Sequence, residues 1–162
     1  MISMPRVTPC LWFDFNAAEA VDFYVSVFPN SRVLRTSHYG EWMPELDGKV
    51  LMIEFELDGV RLQALNGGPQ FPFTEAMSLS IACADQEEVD YYWSRLSAGG
   101  REVECGWLKD RYGLSWQVVP VRMLDLLVDP DKDRAGRAMQ AMLTMKKLDI
   151  GVIERAAEGA EG

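Results

Sequence analysis

The 162-residue sequence holds one histidine, three cysteines and no Gly-x-Gly-x-x-Gly run. One imidazole is too few for a His-rich transition-metal site, where nitrogen and sulfur donors usually dominate. Cys10, Cys83 and Cys105 are far apart, odd in number and form no Cys-x-x-Cys pair. That excludes a disulfide framework and a zinc knuckle, and it fits a reducing compartment in which each thiol is a small apolar side chain. No stretch approaches the roughly 18 apolar residues of a membrane span. The first residues carry no basic segment followed by an apolar run, so no secretory signal is read. A cytoplasmic protein is expected. No basic cluster exceeds Lys146-Lys147, and 16 basic against 25 acidic residues leave a formal charge of -9, a field that repels nucleic acid.

An apolar fraction of 48% with 25% charged residues describes an ordinary globular chain, with disorder expected only in the Ala-Glu-Gly tail after Arg155. The strongest internal signal is a repeat. Val21-Asp22-Phe23-Tyr24-Val25-Ser26-Val27-Phe28 aligns with Val89-Asp90-Tyr91-Tyr92-Trp93-Ser94-Arg95-Leu96. Each copy follows a short apolar segment, Val7–Phe13 or Met77–Cys83, and precedes a turn and three strand-like runs. These runs are Arg32–Tyr39, Val50–Leu57 and Val60–Leu65 in the first half, and Arg101–Glu104, Trp107–Lys109 and Leu114–Val119 in the second. Apolar residues at Ala17, Ala20, Val21, Tyr24 and Phe28 recur with helical spacing. The reading is an α+β chain of two β-α-β-β-β modules, 7–66 and 77–120, with a helical extension over 121–157.

Asp58-Gly59 between two alternating runs is a two-residue hairpin turn, and such a turn fixes register. It sets Leu57 opposite Val60, Glu56 opposite Arg61, Phe55 opposite Leu62 and Glu54 opposite Gln63. Ile53, Phe55, Leu57, Val60, Leu62 and Ala64 then share the face that packs on a helix. Glu54, Glu56, Arg61 and Gln63 share the other, a candidate cavity wall. In the extension, Asp129 with Pro130 is read as a helix start. The strip Ala135, Ala138, Met139, Met142 and Leu143 either packs on its own domain or forms a dimer contact. Asp149 is read as capping a last helix.

The modules resemble those of the vicinal oxygen chelate superfamily, which includes glyoxalases, extradiol dioxygenases and antibiotic-resistance proteins. More closely, the chain resembles the PhnB-like family, often labelled 3-demethylubiquinone 3-methyltransferase-like. The resemblance rests on Pro9–Asp14, Phe28-Pro29-Asn30-Ser31, Leu65-Asn66-Gly67-Gly68-Pro69, Val89–Trp93 and Cys105–Pro120. It implies a curved mixed sheet around a central cavity, and homodimers are common in the superfamily. It also places the usual metal-ligand positions at Pro9, Gln63, Ser78 and Gln117, none of which is a His, Asp or Glu.

The expectation is therefore a small-molecule-binding protein of unknown ligand that uses no metal and no other cofactor. Strand parity assigns Leu11, Phe13, Glu54, Gln63, Ser78, Ser80, Ser115 and Gln117 to the cavity. Trp107 and Trp42 are candidates for stacking on a ligand, Trp42 from a flexible loop at 40–49 that also brings His38 and Tyr39 near the mouth. The alternative is a cofactorless isomerase or lyase in which Glu54, its pKa raised by apolar walls, is the general base. A metal-dependent lyase or dioxygenase and a methyltransferase are weaker alternatives. The methyltransferase reading lacks a Gly-rich loop leading into a helix. For Glu54 itself, the structural alternative is a strand carboxylate bound to Gln63.

Overall fold

The hairpin at Asp58-Gly59 organises the first half of the molecule. In a computed structural model, which describes residues 4–160, both turn residues have positive φ, 46° and 84°, as a tight two-residue turn requires. The strands it joins, β3 (Val50–Leu57) and β4 (Val60–Asn66), pair in the register read from the sequence, from Leu57↔Val60 through Glu54↔Gln63 to Met52↔Leu65. β1 (Cys10–Phe13) lies parallel to β4, and β2 (Arg32–His38) lies antiparallel to β3. The sheet order is thus β1-β4-β3-β2.

Helix α1 (Ala17–Val27) covers one face of this sheet. It buries Ala17, Ala20, Val21, Tyr24 and Val27. From the sheet, Leu11, Phe13, Ile53, Phe55, Leu57, Leu62 and Ala64 are buried on the same side. Asn66 fixes the entry to the helix. Its Oδ1 accepts from the Ala17 amide at 3.0 Å, and its Nδ2 donates to the Val50 carbonyl at 3.0 Å.

The second half repeats the plan. β5 (Ser78–Cys83), α2 (Gln86–Ser97), β6 (Arg101–Glu102), β7 (Trp107–Lys109) and β8 (Ser115–Pro120) form a four-stranded sheet ordered β5-β8-β7-β6 with its helix. Asp85 caps α2 by accepting from the Glu88 amide at 2.9 Å, and Glu88 reaches back to the Ala84 amide at 2.8 Å. The expected α+β class is what the chain adopts. Its strands are divided into one mixed sheet per half, and the chain separates into two compact units between Pro72 and Phe73.

The C-terminal helices α3 (Val121–Leu127), α4 (Lys132–Met142) and α5 (Ile150–Ala157) belong to the second unit. Met123, Leu126, Ala138, Leu148, Ile153 and Ala157 form one buried cluster with Val119 of β8, and Met142 packs against it. Ala138 and Met142 of the α4 strip are thus used internally, while Leu143 stays 58% exposed. Three polar features fasten the extension. The Gln86 amide donates to the Leu148 carbonyl at 3.0 Å and accepts from the Ile150 amide at 2.9 Å. Cys105 and Gly106 donate to the carbonyls of Met145 and Lys146, each at 2.8 Å. Lys147 pairs with Asp90 at 2.8 Å.

Two boundaries differ from the sequence reading. The cap of α4 is Asp131, whose carboxylate accepts from the Asp133 and Arg134 amides, whereas Asp129 makes a turn by accepting from the Asp131 amide. The Asp-Pro-Asp run offers two caps, and the one next to the helical residues takes the role. Asp149 does cap α5 through the Val152 amide, and that helix continues past Arg155 to Ala157, into the stretch read as a disordered tail. Among the described residues no helix is long and apolar enough to cross a membrane.

Candidate functional site

The face of the first sheet turned away from α1 carries most of its polar side chains. Ladder pairing aligns its side chains in transverse rows. One row crosses all four strands as Cys10, Gln63, Glu54 and Arg35: a thiol, an amide, a carboxylate and a guanidinium. The row beside it is mainly apolar, with Trp12, Leu65, Met52 and Ser37. On the other side lie Arg61, Glu56 and Arg32.

Arg35 reaches this face because β2 is bulged. The pairing steps from Val33↔Phe55 directly to Arg35↔Glu54 and leaves Leu34 as the extra residue. Arg32 and Arg35, three residues apart, consequently point the same way. Regular alternation would have put them on opposite faces.

Glu54 is only 6% exposed. Its Oε2 accepts from Arg35 Nε, and its Oε1 takes a long 3.5 Å contact from Gln63 Nε2. The bond to Arg35 holds the carboxyl below its usual pKa, against a smaller opposing effect of desolvation, with Gln63 and the Arg61 charge helping to lower it. The raised pKa expected from apolar walls is therefore overturned. A guanidinium hydrogen-bonded to the carboxylate outweighs desolvation and makes Glu54 a poorer base. The structure thus departs from the picture of Glu54 bound mainly to Gln63 as well, since Arg35 is the principal partner.

Phe13 is also corrected. It pairs with Asn66 and shares the α1 face with Leu11, Leu62 and Ala64, at 2% exposure. In β1 the residue opposite Gln63 is Cys10, while Pro9 contributes its carbonyl to the Gln63 amide at 2.9 Å. Desolvation by surrounding protein pushes the Cys10 thiol pKa up. Cys10 and Arg35 are the residues that sequence reasoning missed. For Arg35 the available signal was charge, because Glu54 on a sheet face calls for a cation on the neighbouring strand.

In the second unit, Gln117 shares a row with Ser80 and Trp107, and the adjacent row is Ser78, Ser115, Lys109 and Arg101. Gln117 Nε2 donates to Ser78 Oγ at 2.9 Å, so these two candidates are joined, and half-buried Trp107 lies beside them. Lys109 pairs with Glu75 at 2.5 Å. Ser115 is buried and its hydroxyl has no partner among the described residues. Trp116 points the other way, as expected, and donates to Asp110 Oδ2 at 2.9 Å.

Trp42 is 66% exposed, and its ring contact is with Tyr39 at 5.6 Å. The segment that carries it is tied into successive turns. Tyr39 donates to Lys49 O at 2.8 Å and accepts from the Gly48 amide at 2.9 Å, while Met43, Leu46 and Lys49 each donate to a carbonyl three residues back. The loop expected as a flexible lid is thus hydrogen-bonded into turns in this conformation. Tyr39 is buried, with its hydroxyl donating to Asn66 O at 2.6 Å. A hollow of about 420 Å³ opens at the hairpin end, lined by Asn30, Ser31, Arg32, Glu56, Asp58 and Gly59. Several of its polar groups already satisfy one another, with Ser31 Oγ accepting the Asp58 amide at 3.2 Å and Arg32 bound to Glu56 at 3.2 Å.

The donor set does not suit a transition metal. Among the described residues no group of three or more His, Cys, Asp or Glu side chains comes together to hold one. In the first unit the Glu54 carboxylate is committed to Arg35, and Cys10 is biased toward its neutral thiol. Nor do Gly67-Gly68 form an anion cradle. Both amides donate to Phe13 O, at 3.0 and 3.4 Å, and Trp12 Nε1 donates to Gly68 O at 2.9 Å.

Comparison with known proteins agrees with this architecture. Residues 5–119 match the model of a family described as 3-demethylubiquinone-9 3-methyltransferase. A Bacillus cereus PhnB protein, given the same description, has 33% sequence identity and a TM-score of 0.66 over 72% of this chain and 99% of its own. A Pseudomonas aeruginosa protein shares the fold at 19% identity and TM-score 0.57, covering 72% of this chain and 98% of its own. The Listeria monocytogenes fosfomycin resistance protein FosX matches at 21% identity and TM-score 0.47, over 72% and 89% of the two chains. Comparison with curated proteins gave no match. The family match stops at Val119, so α3, α4 and α5 lie beyond it. The chain belongs to the PhnB-like family described as 3-demethylubiquinone-9 3-methyltransferase.

Proposed function

We propose that this chain binds a small organic molecule without a transition metal, using the polar row on the open face of its first sheet. The observation that carries the reading is the row itself. Cys10, Gln63, Glu54 and Arg35 supply four different polar groups side by side, next to Trp12, Leu65 and Met52. A few oriented polar groups beside apolar surface is the usual make-up of a small-molecule site. Ser78, Gln117 and Trp107 are proposed as a second set of ligand contacts on their own sheet.

The family description brings a methyltransferase activity into consideration. The glycine amides of the Gly67-Gly68 loop are spent on Phe13 O, which gives that activity no support here. The lowered pKa of Glu54 makes it a weaker base and gives the general-base reading no added support. A cytoplasmic location is part of the proposal, supported by three free, scattered cysteines. A homodimer is proposed on the superfamily resemblance, and a monomer by light scattering at micromolar concentration rejects it.

Metal analysis of protein purified without an affinity tag tests the central claim. The expected result is less than stoichiometric transition metal. A full equivalent, lost on Gln63→Ala or Gln117→Ala, overturns it.

A further inference from the structure

Building on the small-molecule reading, we propose that Arg35 is the anchor for an oxyanion on the ligand, a carboxylate or phosphate-type group. The molecule carries a formal charge of -9, yet the open face of the first sheet reverses that sign. Three guanidinium groups, Arg32, Arg35 and Arg61, stand there against two carboxylates, Glu54 and Glu56.

Arg35 differs from Arg32 in how it is held. Arg32 pairs with a carboxylate that is itself 27% exposed, as surface ion pairs commonly do. Arg35 pairs through Nε with a carboxylate whose side chain is 7% exposed, while its own side chain is 64% exposed. The buried partner fixes the inner edge of the fork and leaves the outer nitrogens facing out. Among the described residues their remaining contact is the Met4 sulfur, 3.7 Å from Nη2. A thioether is a weak acceptor that an oxyanion displaces readily.

A planar fork held from behind suits two parallel N–H···O bonds, the geometry in which Arg recognises carboxylate and phosphate. Gln63, two strands away in the same row, has an amide within reach of Glu54. Trp12, Leu65 and Met52 line the neighbouring row for an apolar body. The ligand class is therefore a small molecule with one anionic head.

The test is an NMR titration that follows the Arg35 Nε–H and Gln63 side-chain amide signals. The probes are sodium acetate, inorganic phosphate and neutral acetamide at constant ionic strength. Acetate or phosphate is expected to move both signals saturably in the millimolar range. Arg35→Gln should abolish the response, and Arg35→Lys, which keeps charge but not the fork, should weaken it by about tenfold. The amide spectrum of each variant is the check on folding, because Arg35→Gln leaves the buried Glu54 carboxylate without its guanidinium while Arg35→Lys keeps a cation beside it. Anion shifts that persist in Arg35→Gln, or equal affinity in Arg35→Lys, overturn the fork. A saturable acetamide response with none to either anion overturns the anchor while leaving the small-molecule reading intact. Stoichiometric bound metal instead defeats the metal-free reading, whatever the anions do.

Discussion

Replacing Leu148 by Ala should cost the second unit about 3–4 kcal/mol. Leu148 lies between α4 and α5, has no exposed surface, and belongs to the cluster of Val119, Met123, Leu126, Ala138, Ile153 and Ala157. A side chain added at Gly106 would come within 3.1 Å of its Cδ1, which shows how closely β-turn and extension meet there. The substitution removes three carbons at about 0.8 kcal/mol each, or about 2.4 kcal/mol of transfer free energy. The cavity left in an incompletely relaxing core raises the total toward the 2.7–5 kcal/mol range of buried Leu→Ala changes, of order 3–4 here. With a urea slope of about 1.5 kcal/mol/M, the midpoint should fall by about 2 M or more. Urea unfolding followed by tryptophan fluorescence reads this directly. Leu143→Ala is the control: Leu143 is 58% exposed, so its replacement should stay within about 0.5 kcal/mol. A Leu148→Ala cost below about 1 kcal/mol, or one equal to the control, refutes the claim that the extension is part of the core.

Truncation after Pro120 should leave the second unit molten, with its near-ultraviolet circular dichroism lost, because Val119 is deprived of its cover. A truncated chain with a native near-ultraviolet spectrum contradicts this. Gly59→Ala meets no atom within 4 Å but retains φ at +84°, so a cost of about 1 kcal/mol is expected from backbone strain alone, read by the same urea experiment. Cys10, at the surface but with a raised pKa, should react slowly with a thiol reagent at pH 8 in the native protein. Cys83, buried and with a pKa pushed up to about 12, should react only on unfolding, and equal native rates would refute the assignment. The depressed Glu54 pKa makes the native state bind fewer protons than the unfolded state just below the ordinary value of 4.5. Its stabilisation is therefore complete above that pH and lost as pH falls through the folded pKa, and Glu54→Gln should flatten that part of the stability profile.

Local signals made much of the first unit legible. Asp58-Gly59 fixed the β3–β4 register because a two-residue turn leaves no slack, and the helical spacing in α1 identified its buried stripe. The parity of β1 had no such anchor. It joins β4 in parallel across a long connection, so the ladder, rather than a turn, decides that Cys10 and not Phe13 lies beside Gln63. Arg35 was hidden for a related reason. A bulge adds one residue to the strand without a residue-level signature, and every side chain beyond it changes face. The α4 strip showed that an apolar side must be covered, but not that Ala138 and Met142 would meet a cluster containing Val119, Leu148 and Ile153. Periodicity identifies a buried face without naming its partner.

The same bulge explains why the site chemistry was misjudged from sequence. A carboxylate on an apolar strand suggests desolvation and a raised pKa, and that would hold for Glu54 if Leu34 occupied the facing position. Shifting the register by one residue substitutes a guanidinium, and the direction of the pKa shift reverses. The consequence reaches beyond Glu54. In a metal-using site a carboxylate binds the cation, and the cation presents positive charge to an oxygen of the substrate. Here Glu54 binds a guanidinium instead, and that guanidinium presents its outer edge away from the sheet. The positive charge is retained, but it is fixed to β2 rather than drawn from solution. A guanidinium cannot accept an electron pair as a Lewis acid does. It offers directed hydrogen bonds and charge, the pairing by which Arg recognises carboxylate and phosphate. On the proposed reading, the row holds the anionic head of its ligand through the Arg35 fork, with Glu54 behind it as the buried support.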